Sequence, residues 1–163
     1  MKKIVFCGSF DPAHKGHLNT YLLAKEKYNQ EITICINRNP FKKSSRFSVE
    51  ERLLIAQSIF KTNEILILID VSDMINLIKE SDLIIQGYHD ISEIHRLRQQ
   101  YKRFNCEELF DKNDFLRIQD DFADVSSTNI VSNFFNNEQF ARDNLSPLGF
   151  EMLKKKLMSE ALL

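Results

Sequence analysis

The sequence predicts an open α/β fold, five parallel strands with helices on both faces. Three observations carry it. Five short apolar runs, rich in β-branched residues, recur along the 163 residues. Segments of helical periodicity separate them. The first run ends at Gly8, and the turn after it opens into a helix. Strands that alternate with helices pair in parallel through crossovers, and both faces of such a sheet are covered.

Taken in order, residues 2–7 read as a buried strand. Residues 16–28 read as a helix with Leu18, Tyr21, Leu22 and Tyr28 near one face. A second strand covers residues 32–36, and a polar loop runs to Arg46. Ser48 and Glu51 form a capping box; the helix behind them carries Val49, Leu53, Ala56 and Phe60 on one face. Residues 65–69 are apolar throughout, which predicts a strand covered on both sides. A short helix follows from about Asp73 to Lys79. Residues 83–85 form the fourth strand, Gly87 makes the turn, and Asp90 with Glu93 caps the next helix. Its stripe is Ile91, Ile94, Leu97, Tyr101 and Phe104. Residues 105–113 read as an acidic, irregular loop, and residues 115–118 as the fifth strand. Ser126-Ser127-Thr128 opens a helix with Ile130, Val131, Phe134 and Phe135, ended by Asn136-Asn137. Ser146-Pro147 starts the last helix, since proline suits the first helical position. This is a Rossmann-like arrangement in one domain, residues 1–163. Its ligand cleft is expected at the carboxyl ends of the strands, lined by the loops after strands one, two, four and five.

Bulk properties narrow the function classes. A formal net charge of −1 provides no global basic field for nucleic acid or anionic membrane. The three cysteines, Cys7, Cys35 and Cys106, are odd in number and lack C-x-x-C spacing, so neither a disulfide framework nor a zinc site is expected. No apolar run approaches a membrane span, and the one before Gly8 is too short for a signal peptide. A cytoplasmic location is the expectation.

The chemistry concentrates in Gly8-Ser9-Phe10-Asp11-Pro12-Ala13-His14-Lys15-Gly16-His17. A strand, a tight turn and a helix N-terminus form an anion site, because free N–H groups and the positive end of the helix dipole converge there. His17 falls in the first helical turn and can donate to the same anion, and His14 sits where the chain enters the helix. Gly8 lets the backbone approach closely, Ser9 offers a hydroxyl, and Gly16 keeps a side chain away from His17. Ser126, Ser127 and Thr128 read either as a second anion site or as an ordinary N-cap.

The stretch at residues 8–17 resembles the signature of the nucleotidylyltransferase superfamily, H-x-G-H type. With Asn39-Pro40-Phe41-Lys42-Lys43 and Phe47-Ser48-Val49-Glu50-Glu51-Arg52, the chain resembles the phosphopantetheine adenylyltransferase family, where N-P-x-K-K is followed by F-S-x-E-E-R. That resemblance implies transfer of AMP from ATP to 4′-phosphopantetheine, with Mg²⁺ accompanying ATP and a homo-oligomer, a hexamer in that family. His17 and Lys42 would be catalytic, Lys42 holding the acceptor phosphate. Gly8, Ser9, Phe10, His14, Gly16, His17, Gly87, His89, Ser126, Ser127 and Thr128 would bind the nucleotide. Ser9, Lys42, Met74, Ile75 and Gln86 would bind the acceptor, although Met74 and Ile75 read equally as helix-start core residues.

Four positions depart from the family. Gln86-Gly87-Tyr88-His89 stands where R-G-L-R is usual, Leu97 near a nucleotide-contacting glutamate, and Val131 where a basic residue is usual. Arg38, Arg46, Arg96 and Arg98 are candidate replacements for the missing charges. The departures keep two further readings open: another adenylyl- or cytidylyltransferase, for example with a nicotinate mononucleotide acceptor, and a nucleotide-binding protein without catalysis.

Overall fold

The computed structural model describes residues 1–38 and 44–163. Strands β1 (Ile4–Gly8), β2 (Thr33–Ile36), β3 (Ile65–Ile67), β4 (Leu83–Tyr88) and β5 (Asn113–Arg117) form one parallel sheet in the order β3-β2-β1-β4-β5. The expected architecture is therefore present. The strand order reverses between β1 and β4, and that switch point opens a crevice at their carboxyl ends.

Alternation along each strand divides the core in two. Ile4, Phe6, Ile34, Ile36 and Ile85 face one side, against α1 (Lys15–Tyr28), α2 (Val49–Phe60), α5 (Ser127–Ser132) and α7 (Pro147–Ala161). Val5, Cys35 and Ile84 face the other, against α3 (Val71–Glu80) and α4 (Ile91–Arg103). A further helix, α6 (Glu138–Asn144), follows α5.

Local signals set most helix starts. In α2 the Ser48 hydroxyl accepts from the Glu51 N–H at 3.1 Å, and the Glu51 carboxylate accepts from the Ser48 N–H at 2.8 Å. Ser146 caps α7, with Pro147 at its first position. Asp70, three residues before the expected start of α3, is its cap and pairs reciprocally with Asp73.

The structure corrects several expectations. β3 is an edge strand with Leu66 and Ile67 exposed at 44% and 41%, so an all-apolar run here does not mean cover on both faces. Of the expected α2 stripe, Ala56 and Phe60 are buried and Leu53 packs against the core, and the face extends to Arg52, Ile55 and Ile59 rather than to Val49. Gly87 does not make a turn: β4 continues through Tyr88, and a Cβ at Gly87 would lie 2.9 Å from Thr20 Oγ1 of α1. That glycine serves close helix–strand approach. Residues 107–112 are not a solvated loop but a 3-10 segment that buries Leu109 and Phe110. In the α4 stripe Ile91 is 65% exposed, because it sits in the first turn beyond the sheet. The helix after Ser126 ends at Ser132, leaving Phe135 exposed, and Asn137 caps α6 rather than ending α5.

Candidate active site

The turn after β1 brings two histidines face to face. His14 is the N-cap of α1, and His17 is its third helical residue. The His14 backbone N–H donates to His17 Nδ1 at 3.2 Å, and the His17 N–H donates to His14 Nδ1 at 3.4 Å. This reciprocal cap satisfies two backbone donors at the helix start. It also selects the tautomer. A ring whose Nδ1 accepts carries its proton on Nε2, so both histidines are left with an Nε2–H donor. Burial holds both neutral: it pushes His17 down to about 3, and it lowers His14 well below its ordinary value, with further lowering by His17 and His89. The rings stack 3.6 Å apart between centroids. A Cβ at Gly16 would sit 3.0 Å from the His14 ring, so a side chain there would crowd the pair.

Long-range contacts hold the turn in place. Phe10 has φ 45°, a left-handed conformation. That backbone turns its ring into the core, edge-on to His17 at 4.9 Å and to Phe6 and Phe60. Asp11 accepts from the N–H groups of Arg46 and Phe47 at 2.6 and 2.8 Å, fixing the entry to α2 against the first turn. Arg52, nearly fully buried, donates from Nη1 to the Ser9 and Asn37 carbonyls, both at 2.8 Å. It thereby ties the ends of β1 and β2 together, and the Asp11 charge counters part of its burial penalty. Ser127 donates to the Pro12 carbonyl at 2.9 Å, and the Ser126 hydroxyl caps the Asn129 N–H.

Two cavities meet at this crevice. One, of about 270 Å³, is lined by Gly8, Phe10, His14, Gly16, His17, Gln86, Gly87, His89, Glu93, Ser126 and Ser127, among others. Ten of the sequence-derived site residues thus come together here. Thr128 does not; it is exposed in an adjacent groove with Asp11, Arg46 and Val131. The second cavity, of about 260 Å³, contains Ser9, Met74, Ile75 and Gln86 with Asn37, Leu97, Gln100, Tyr101 and Cys106. Cys7, Gly8 and Gln86 line both. Lys42 and Lys43 lie outside the described residues.

The second cavity carries no charged side chain among the described residues. Gln86 donates to Asn113 Oδ1 at 3.1 Å, and Asn113 donates to the Tyr101 hydroxyl at 3.0 Å. Burial pushes that phenol up to about 12, so this floor is neutral over the working pH range. Of the arginines considered as replacements, Arg46 pairs with Glu160 at 3.1 Å and Arg98 stacks on Phe110. Arg96 lines a groove beside Gln86 and Glu93. Sequence reasoning used Arg52 and Glu93 only as motif and cap residues and passed over Thr20, whose hydroxyl donates to the Gly16 carbonyl. That bond lies within α1, and the same hydroxyl faces Gly87 of β4.

Among the described residues, no group of three or more His, Cys, Asp or Glu could hold a metal ion. No described helix is long and apolar enough to cross a membrane.

The chain belongs to the cytidylyltransferase-like family, whose pattern matches residues 5–133, a span that includes the parallel sheet and the histidine-capped helix at its switch point. Within that family it is similar to phosphopantetheine adenylyltransferases: 44% identical over 55 residues to that of Corynebacterium diphtheriae (34% of each chain) and 33% identical over 97 residues to that of Clostridium perfringens (57% of each chain). It is also 38% identical over 58 residues to a probable nicotinate-nucleotide adenylyltransferase of Chlorobaculum parvum, covering 35% of this chain and 30% of that one. The chain therefore spans about a third to about half the length of the curated relatives it matches. Its fold is shared with Thermotoga maritima TmcAL, solved bound with alpha-thio ATP, at a TM-score of 0.59 and 14% identity over 98% of this chain and 56% of that one.

Proposed function

We propose that this protein transfers AMP from ATP to 4′-phosphopantetheine, forming dephospho-coenzyme A and releasing pyrophosphate. The observation that carries the transfer chemistry is the reciprocal His14–His17 cap. It leaves neutral imidazoles with Nε2–H donors at the start of a helix whose dipole favours an anion. An oxygen of the acceptor phosphate attacks the α-phosphorus of ATP, the α–β bridging bond breaks, and pyrophosphate carries away the electron pair. His17 and the backbone N–H groups stabilise the charge that develops on the phosphoryl oxygens, and they need little reorganisation to do so. No side-chain nucleophile takes part.

The neutral second cavity suits the acceptor's arm, an uncharged chain with amide groups, through Asn37, Gln86 and Gln100. Asn37 Nδ2 also donates to Met74 Sδ at 3.2 Å, which holds Met74 at the wall. Ser9 and Lys42 are assigned to the acceptor phosphate. Mg²⁺ is assigned to the nucleotide itself, since Mg²⁺ keeps water and phosphate ligands. When bound it neutralises the departing pyrophosphate. A homo-oligomer is part of the proposal, and light scattering of the full chain reads it.

Pyrophosphate release, measured with ATP and with CTP against a panel of acceptor phosphates, tests this reading. Release with ATP and 4′-phosphopantetheine is expected. Release with nicotinate mononucleotide instead transfers the assignment to the second reading, which the similarity to the Chlorobaculum protein favours. ATP binding without release for any acceptor identifies a protein that binds nucleotide without turning it over, a reading motivated by Gln86, His89, Leu97 and Val131.

A further inference from the structure

The cavity of His14 and His17 contains a third histidine with a different environment. His89 ends the run after β4, and its backbone N–H donates to Glu93 Oε2 at 2.9 Å. Its Nδ1 lies 3.3 Å from Glu93 Oε1. Its Nε2 is shielded from solvent and has no hydrogen-bond partner among the described residues, and the ring lines the same cavity as His14 and His17.

The three rings divide by what their Nδ1 atoms face. At His14 and His17, Nδ1 accepts a backbone N–H, so a second proton would break the helix cap. At His89, Nδ1 faces a carboxylate that accepts the proton's hydrogen bond and balances its charge. The imidazolium of His89 is therefore compatible with the fold, and its Nε2–H belongs to a ring that lines the cavity and has no partner among the described residues.

We propose that His89, braced by Glu93, is a protonatable phosphate donor of this cavity, and that the protein takes up a proton on His89 when a polyphosphate binds. The inference rests on the reading of this cavity as the site of the nucleotide's phosphates. A bound polyanion favours the imidazolium, so binding is tightest below the His89 midpoint of the free protein and weakens as pH rises from there through the higher midpoint of the bound form. The titratable groups facing His89 are Glu93 from α4, His14 and His17 from the first turn and α1, and Cys7 from β1. Asp90 is occupied by its bonds to Ser92, and Arg117, opposite Tyr88 in the ladder, lies 3.9 Å from Asp120. Neither competes for the ring.

The chain has four histidines, so their Cε1–H resonances can be followed individually by NMR, with His89→Asn assigning the signal. The full chain is titrated alone, with ATP, with CTP, and with inorganic pyrophosphate. ATP is expected to raise the His89 midpoint by about one pH unit, which by linkage is about tenfold tighter binding to the protonated form. Glu93→Gln is expected to lower that midpoint and shrink the effect. If ATP binds and perturbs His14 or His17 while the His89 midpoint stays in place, the proposal is overturned and the nucleotide reading stands. If pyrophosphate raises the midpoint but neither ATP nor CTP binds, His89 keeps its role and the nucleotide reading falls. If no ligand moves any cavity histidine, both are overturned.

Discussion

His14 and His17 each accept the other's backbone N–H through Nδ1, at 3.4 and 3.2 Å, with their rings stacked 21° from parallel. One local motif thus closes the helix start and fixes two imidazole tautomers, so a substitution there has a structural consequence and, on the proposed function, a catalytic one, and the two can be separated.

Replacing His17 with alanine removes an Nε2–H donor and the acceptor for the His14 N–H. Turnover with ATP is expected to fall by about 10²–10³, the loss typical of one donor to a developing oxyanion. Loss of the cap is expected to cost about 1 kcal/mol of stability. Steady-state kinetics beside a urea melt checks the split; unchanged kcat in a folded variant removes His17 from the chemistry.

Acid is expected to destabilise the fold through the same pair. His17 titrates near 3 when folded and near 6.5 as a free side chain, so the unfolded chain binds more protons between those values. Stability is then fully present above about pH 6.5 and declines as pH falls toward 3, by about 2 kcal/mol at pH 5 from His17 alone. His14 acts in the same direction. Denaturant midpoints from pH 7.5 to 4.5 measure the slope, and His17→Gln, whose amide oxygen still accepts the His14 N–H, should flatten it.

Arg52 holds two carbonyls from different loops across 43 and 15 residues of chain. Arg52→Met leaves both without that donor in a buried place, an expected loss of about 1.5–3 kcal/mol. Chemical denaturation reads the stability. A rise in KM for ATP is expected as well, since the Ser9 carbonyl belongs to the turn that carries the histidines.

Gly87→Ala places a methyl 2.9 Å from Thr20 Oγ1 and should cost about 1–3 kcal/mol by overpacking. Combined with Thr20→Ala, which deletes that oxygen, the penalty should shrink. Additive losses in this double-mutant cycle would show that α1 and β4 do not press on each other at this point.

Local signals in the chain were legible where neighbours in sequence are neighbours in space. The Ser48–Glu51 box, the Ser146-Pro147 start and the strand–turn–helix at residues 8–17 all depend on spacings of a few residues. Gly87 and β3 misled for the opposite reason. A glycine after an apolar run reads as a turn, yet Thr20 from a distant helix requires it within a strand. An apolar run reads as doubly covered, yet edge position depends on strand order.

The sequence by itself determined the class of sheet, the caps at Ser48, Ser126 and Ser146, and the positions of His14 and His17, because backbone propensity and capping act within one or two turns. Tertiary structure alone decided what surrounds them. It set Gln86 on a neutral floor with Asn113, 27 residues away, and tied Ser127 to Pro12 across 115 residues. It also faced His89 toward the histidine cavity with an acid at its back. Such contacts follow from which strands lie side by side, and no local periodicity encodes that order.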